Sequence, residues 1–181
     1  MTIILPGIRS LTDHLRTLHA HPEDYRPKQC PACSNRIVWC HGCYPRKADR
    51  QDLGVTCLNP IPIPRFFCPS CNATCSVLPE AVPPRRWHLW SVQQAVLLLL
   101  LAGGSCYHAS STLGNRPCRQ TIRRWWQRLR EEFVLHAFTL RQWFPCLGRS
   151  VAFVEFWTAS LALQPLSVLM ALLHQEGAPV P

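Results

Sequence analysis

Two copies of Cys-Pro-x-Cys stand in the chain, CPAC at 30–33 and CPSC at 68–71. A Cys-x-x-Cys turn aims two thiolates at one point. Two such turns brought together complete the four-sulfur tetrahedron of structural zinc, with Zn–S bonds of about 2.3 Å. Proline after the first cysteine fixes φ and stiffens each turn. Cys30, Cys33, Cys68 and Cys71 are therefore the expected ligands of one structural Zn2+, with unliganded or redox thiols as the alternative. Four thiolates leave no open coordination position, so catalytic zinc is not expected. A third pair, Cys40 and Cys43, has His41, Cys57 and Cys75 nearby in sequence. It lacks a clear fourth partner, so a single zinc is the expectation, with a second zinc at Cys40 and Cys43, or exchange of ligands between the pairs, as the lesser alternative. Cys106, Cys118 and Cys146 fall among helical residues and read as buried small hydrophobes.

A second kind of chemistry sits in PCRQTIRRWWQRLREEF, residues 117–133. At 100° per residue, Ile122, Trp125, Trp126, Leu129 and Phe133 fall on one side. Gln120, Arg123, Arg124, Gln127 and Arg128 fall on the other, flanked by Arg119 and Arg130. Arginine bonds guanine O6 and N7 in bidentate fashion, and glutamine does so with adenine. Arg119, Gln120, Thr121, Arg123 and Arg124, near the start of the helix, are the expected base contacts. Arg116, Gln127 and Arg128 are expected on phosphate. Charge distribution points the same way. Residues 81–130 hold eight arginines and no acid, whereas 1–80 hold nine basic and six acidic residues, and 131–181 hold two and four. A long stretch of one sign is the footprint of a polyanion binder, with a plain solvated face as the alternative.

The elements that must carry these residues are legible in outline. With 181 residues and 48% apolar content a packed core is expected, and 17 prolines argue for several boundaries. The expected fold is small and α+β: a four-cysteine zinc ribbon of short antiparallel strands, then a mainly α-helical helix-turn-helix region. Residues 1–28 read as a loosely specified arm, with Ile8, Leu11, Leu15 and Leu18 at helical spacing and His14, His19 and His21 at the surface. Residues 29–80 form the ribbon. RIVWC and IPIPRFFC read as strands, the second an edge strand because Pro62 and Pro64 cannot donate to a ladder. Residues 81–86 are a proline-rich linker. In 87–144, Ser91 and Gln94 fit a capping box opening a helix that stops at Gly103-Gly104. A short helix, a GNR turn and the arginine helix follow, which is helix-turn-helix order. Residues 145–181 form an apolar helical tail, interrupted by Glu155, Gln164 and Pro165. Two short helices are expected there rather than a membrane span, which needs about 20 apolar residues.

CPAC, then WCHGCYPR (39–46), then IPIPRFFCPSCNATCSVLP (61–79), then an RRW helix resembles a bacterial family of uncharacterised transposase-like proteins. In these an N-terminal zinc ribbon precedes a helix-turn-helix. The likeness covers about residues 29–135. It is carried by His41, Gly42, Tyr44 and Arg46, and by Arg65, Phe66, Cys68, Cys71 and Thr74. Cys40 and Cys43 stand as additions within that pattern. The resemblance implies a link to mobile DNA.

Strand transfer by two metal ions needs three converging carboxylates. The chain has ten acids, none placed at the end of a plausible strand in a nuclease fold, and no Gly-x-Ser-x-Gly elbow. The expected function is therefore non-catalytic: a zinc-dependent binder of double-stranded DNA, acting as an accessory or regulatory protein of a mobile element. A homodimer or a separate transposase subunit would be its further partner. The competing classes are a zinc-ribbon interaction module that dimerises through the apolar tail, and a regulator tethered to a membrane by 151–173. No secretory leader is expected in MTIILPGIRSLTDHLR, so cysteine pairs in a reducing, cytoplasmic and nucleoid-associated setting read as metal ligands.

Overall fold

The computed structural model describes residues 1–48, 58–84, 88–114 and 117–181. It is α+β, with one four-stranded sheet and seven α-helices among the described residues. The chain divides into two compact units, Met1–Leu89 and Trp90–Pro181.

The first unit is built on the sheet. Its strands are β1 (Thr2–Leu5), β2 (Trp39–Arg46), β3 (Ile61–Phe67) and β4 (Thr74–Pro79), in the order β1-β4-β3-β2. β2, β3 and β4 are antiparallel neighbours, whereas β1 runs parallel to β4, with Thr2 opposite Ser76 and Leu5 opposite Pro79. The first 28 residues, expected as a loose arm, thus supply a sheet strand. They also supply helix α1 (Leu11–Ala20), whose N-cap Ser10 accepts the Asp13 N–H at 3.0 Å. Buried Glu80 fixes the turn between β1 and α1. Its carboxylate accepts the Gly7 N–H at 2.8 Å and pairs with Arg9 at 3.4 Å.

His14 departs from the surface reading: it is fully buried, while His19 and His21 are both exposed. Its Nε2–H donates to the Pro62 carbonyl at 2.8 Å, and the Tyr25 hydroxyl donates to Nδ1. Burial holds this imidazole below its ordinary pKa, with the Pro62 bond opposing. The same contact explains a second departure. β3 is central in the sheet, not an edge, despite Pro62 and Pro64. The polar edge of Pro62 faces α1, and the ladder to β4 begins only at Arg65. The prolines therefore occupy positions where a missing N–H breaks no pairing with β4.

The second unit is helical: α2 (Trp90–Leu101), α3 (Cys106–Thr112), α4 (Arg119–Glu131), α5 (Phe133–Trp143), α6 (Phe153–Leu163) and α7 (Leu166–Gln175). Trp90, Leu140, Phe156, Trp157, Leu169, Met170 and Leu173 form one core, from α2, α5, α6 and α7. The two expected tail helices are thus core elements. No single described helix is long and apolar enough to cross a membrane, and α6 and α7 meet at a 105° bend. The Ser91–Gln94 capping box does not form, because α2 already begins at Trp90. Gln94 Oε1 instead accepts the Leu166 N–H at 2.7 Å, satisfying a free donor at the start of α7.

Candidate metal centre and basic helix

The four cysteines of the doubled motif meet at one place. Their sulfurs all lie within 4.8 Å of one another, with Cys30–Cys71 at 3.7 Å and Cys33–Cys68 at 3.6 Å. A tetrahedron with 2.3 Å metal–sulfur bonds has edges of about 3.8 Å. The cluster is thus compatible with a structural metal ion and already near the size such an ion requires.

The two turns repeat one another in their bonding. Each ends on a left-handed residue directly after its second cysteine, Ser34 at φ 59° and Asn72 at φ 57°. Each closes with the N–H of its first cysteine on a carbonyl five residues on, Cys30 to Asn35 at 2.8 Å and Cys68 to Ala73 at 2.9 Å. Every sulfur accepts the backbone N–H two residues further along: Ala32 to Cys30, Asn35 to Cys33, Ser70 to Cys68 and Ala73 to Cys71. Such N–H donors stabilise thiolate charge. Cys30 and Cys68 are buried, while Cys33 and Cys71 face solvent.

Crowding splits the thiols. Burial acts against the Cys68 thiolate, but the Cys71 and Ser70 N–H groups and the Cys33 and Cys30 thiols outweigh it and bring Cys68 down to about 6. The Ala73 N–H favours the Cys71 thiolate, yet Cys33, burial, Cys30 and Cys68 together push Cys71 up to about 12. Cys33 is likewise raised: its Asn35 and Cys71 contacts pull it down, and burial with Cys68 and Cys30 prevails. One thiolate forms readily and the last does not, so a cation is what lets all four ionise together.

Cys40 and Cys43 lie apart from this cluster, on β2, and both are exposed. The Cys30, Cys33, Cys68, Cys71 set is the one gathering of metal-ligating side chains among the described residues. Cys75 is buried in the sheet core, and Cys57 lies outside the described residues.

The arginine helix is α4. Val96, Leu100, Ala109, Ile122 and Trp125 form a buried cluster that locks α2, α3 and α4 together. Leu129 is buried in the larger core and Trp126 is half-buried, so the predicted apolar stripe is the packed face. Phe133, placed on the same helix by periodicity, instead opens α5 and packs edge-on to Phe153 and Phe156. Buried Ser110 of α3 donates to the Pro117 carbonyl at 3.0 Å, which sets where α4 begins.

Arg119, Gln120, Arg123, Arg124, Gln127 and Arg128 are exposed, and Thr121 is half-exposed. The ion pairs among the described residues are Arg9–Glu80, Arg16–Asp13 and Arg26–Glu23, so none of the α4 arginines has a carboxylate partner there. Arg130 lies over the Phe153 ring at 5.7 Å, and Gln127 donates to Glu131 at 2.8 Å. Arg116 lies outside the described residues. Cys118 and Cys146 are exposed and Cys106 half-buried, unlike the buried hydrophobes expected. Cys118 is the N-cap of α4, with its sulfur 3.3 Å from Thr121 Oγ1. Bonds from the Thr121 hydroxyl and N–H hold its thiol below the ordinary range.

Against protein-family models, curated proteins and solved structures, the chain finds no match in any of the three comparisons.

Proposed function

We propose that this protein is a zinc-stabilised, non-catalytic binder of double-stranded DNA, of the transposase-like, mobile-element-associated kind. In this reading Cys30, Cys33, Cys68 and Cys71 hold one Zn2+. The near-tetrahedral sulfur spacing and the N–H donor on each sulfur support zinc, because four converging thiolates suit a closed structural site. The metal would fix the two turns against the sheet and take no part in a reaction.

The observation that carries the DNA reading is the outer face of α4. Arg119, Arg123, Arg124 and Arg128 project from a helix pinned by a buried three-helix cluster, with no acid paired to any of them among the described residues. Leaving cations unpaired on a rigid helix costs little in water and is favourable against phosphate. α2, α3 and α4 then act as a helix-turn-helix with α4 as the reading helix. Arg119, Gln120, Thr121, Arg123 and Arg124 meet bases, and Arg128 meets phosphate. Gln127 is tied to Glu131, so it contributes less than its position promises.

The competing reading, a protein-interaction module, is favoured by one feature. Val134 and Phe138 stand on the outer side of α5, exposed by 80% and 64%. Fluorescence anisotropy on labelled duplex separates the two. The DNA reading expects saturable binding by wild type, weakened about tenfold or more by Arg123→Ala with Arg124→Ala, since a good base contact is worth about 1–3 kcal/mol. Equal binding by the double variant would refute it.

A further inference from the structure

β2 is the end strand of the sheet, and it is bulged. Across to β3, Cys40 stands opposite Phe66 and Cys43 opposite Pro64. Three steps on β2 therefore match two on β3. Residues two apart on a strand share a face of the sheet, so Phe66 and Pro64 share one, and Cys40 and Cys43 share it with them. In a regular strand, cysteines three apart would point to opposite faces. Gly42 sits within the bulge at φ 74°, a left-handed conformation that glycine takes at no steric cost. CHGC is thus a built dithiol, and both thiols are exposed.

The spacing suits a metal and stands at the long end of what a disulfide spans. Two strand positions separate the Cα atoms by about 6.6 Å. Disulfides reach their upper limit near 6.8 Å. Two metal–sulfur bonds bridge sulfurs about 3.8 Å apart and accept the wider separation without strain. Zinc, however, takes four ligands, and no third His, Cys, Asp or Glu joins this pair among the described residues. His41 does not turn toward it, because its ring lies 6.0 Å from Phe67, on the other face. The pair supplies two of the four thiolates that a closed zinc site takes.

The surroundings suit a second copy of the chain. The outer edge of β2 has no neighbouring strand among the described residues. Ile37 and Trp39, directly before the dithiol, are exposed by 58% and 57%. Antiparallel pairing of two β2 edges about a two-fold axis would set two dithiols on one face, about 4.8 Å apart across the strands. We propose that two copies of this chain join edge to edge through β2, clasped by one zinc held by Cys40 and Cys43 of each copy. This inference does not depend on DNA binding, and it differs from the Cys30 cluster in its stoichiometry: one zinc per two chains.

The test is metal content together with molar mass by light scattering, on full-length reduced protein equilibrated with excess zinc and freed of unbound metal. Wild type is compared with Cys40→Ser/Cys43→Ser, whose fold is checked by far-UV circular dichroism. The expected result is a dimer for wild type and a monomer for the variant, with the variant lower by about half a zinc per chain. Because this is a difference, it stands whether or not the Cys30 cluster is loaded. A wild-type monomer with a full extra zinc, an unchanged zinc content, or a dimer that survives the double substitution would each overturn the proposal. If the variant does not fold, wild type alone decides. Adding zinc to metal-free wild type must convert monomer to dimer, and a mass unchanged over the whole titration refutes the clasp.

Discussion

Loading the Cys30, Cys33, Cys68 and Cys71 cluster with zinc must expel protons, and the number follows from the geometry. Cys68, brought down to about 6, is mostly ionised near neutrality and gives up little there. Cys71 is pushed up to about 12 and Cys33 is also raised, so both are protonated at pH 7 and both must lose a proton to bind as thiolates. At least two protons leave per zinc bound. Each released proton raises log K by one per pH unit, so affinity climbs by at least about 100-fold per unit between pH 6.5 and 8. The sign is fixed: acid favours the metal-free form. Calorimetric titration of metal-free protein with zinc, in two buffers of different ionisation enthalpy, counts the protons directly. Competition with a chromophoric chelator at pH 6.5 and 7.5, corrected for the chelator, gives the slope. Release of fewer than two protons would show that the four sulfurs are not the crowded thiol set argued from their spacing, or that they do not all bind.

Three further outcomes follow. Gly104→Ala should lower stability by about 1–3 kcal/mol, because a Cβ there would stand 2.6 Å from the Leu99 carbonyl oxygen, which belongs to the backbone; an unchanged urea midpoint would contradict the tight α2–α3 turn. His14 and His136 are both buried, and burial holds both below the ordinary histidine range. Their neutral forms stabilise the fold above pH 6.5, and that stability drains away as pH falls from 6.5 toward the lowered values, so the urea midpoint should be lower at pH 5.5 than at 7.5. A midpoint that rises in acid would contradict two neutral buried imidazoles. The zinc clasp, in turn, predicts that Gly42→Ala weakens dimerisation at β2, since alanine at φ 74° is strained by about 1–2 kcal/mol; dimer dissociation measured by dilution checks it.

How far the sequence spoke varies by element. The doubled Cys-Pro-x-Cys announced its own cluster, because ligand spacing is a local property and the sulfurs had only to be brought together. The apolar stripe of α4 was equally plain, since Ile122, Trp125 and Leu129 repeat at the helical period. What failed was non-local. Thr2–Leu5 is too short to announce a strand, and it becomes one only because β4 offers an edge. His14 looked like a surface residue until Tyr25 and the Pro62 carbonyl closed over it. Pro62 and Pro64 read as edge markers because their missing N–H is a local fact, while the late start of the β3–β4 ladder is a property of the fold. Gln94 matched a capping box in pattern, but its carboxamide found a better donor at Leu166, far along the chain. The β2 bulge carried a faint signal: glycine between two cysteines three apart, where an unbulged strand would have separated the thiols.

The most direct test of the DNA reading is the salt dependence of duplex binding, for wild type and Arg128→Ala side by side. Each phosphate neutralised adds about 0.9 to the slope of log K against log salt. The account predicts a steep fall for wild type, shallower by about 0.9 in Arg128→Ala, with affinity reduced alike across duplex sequences. Binding indifferent to salt, or a slope that Arg128→Ala leaves untouched, would contradict a phosphate-facing α4.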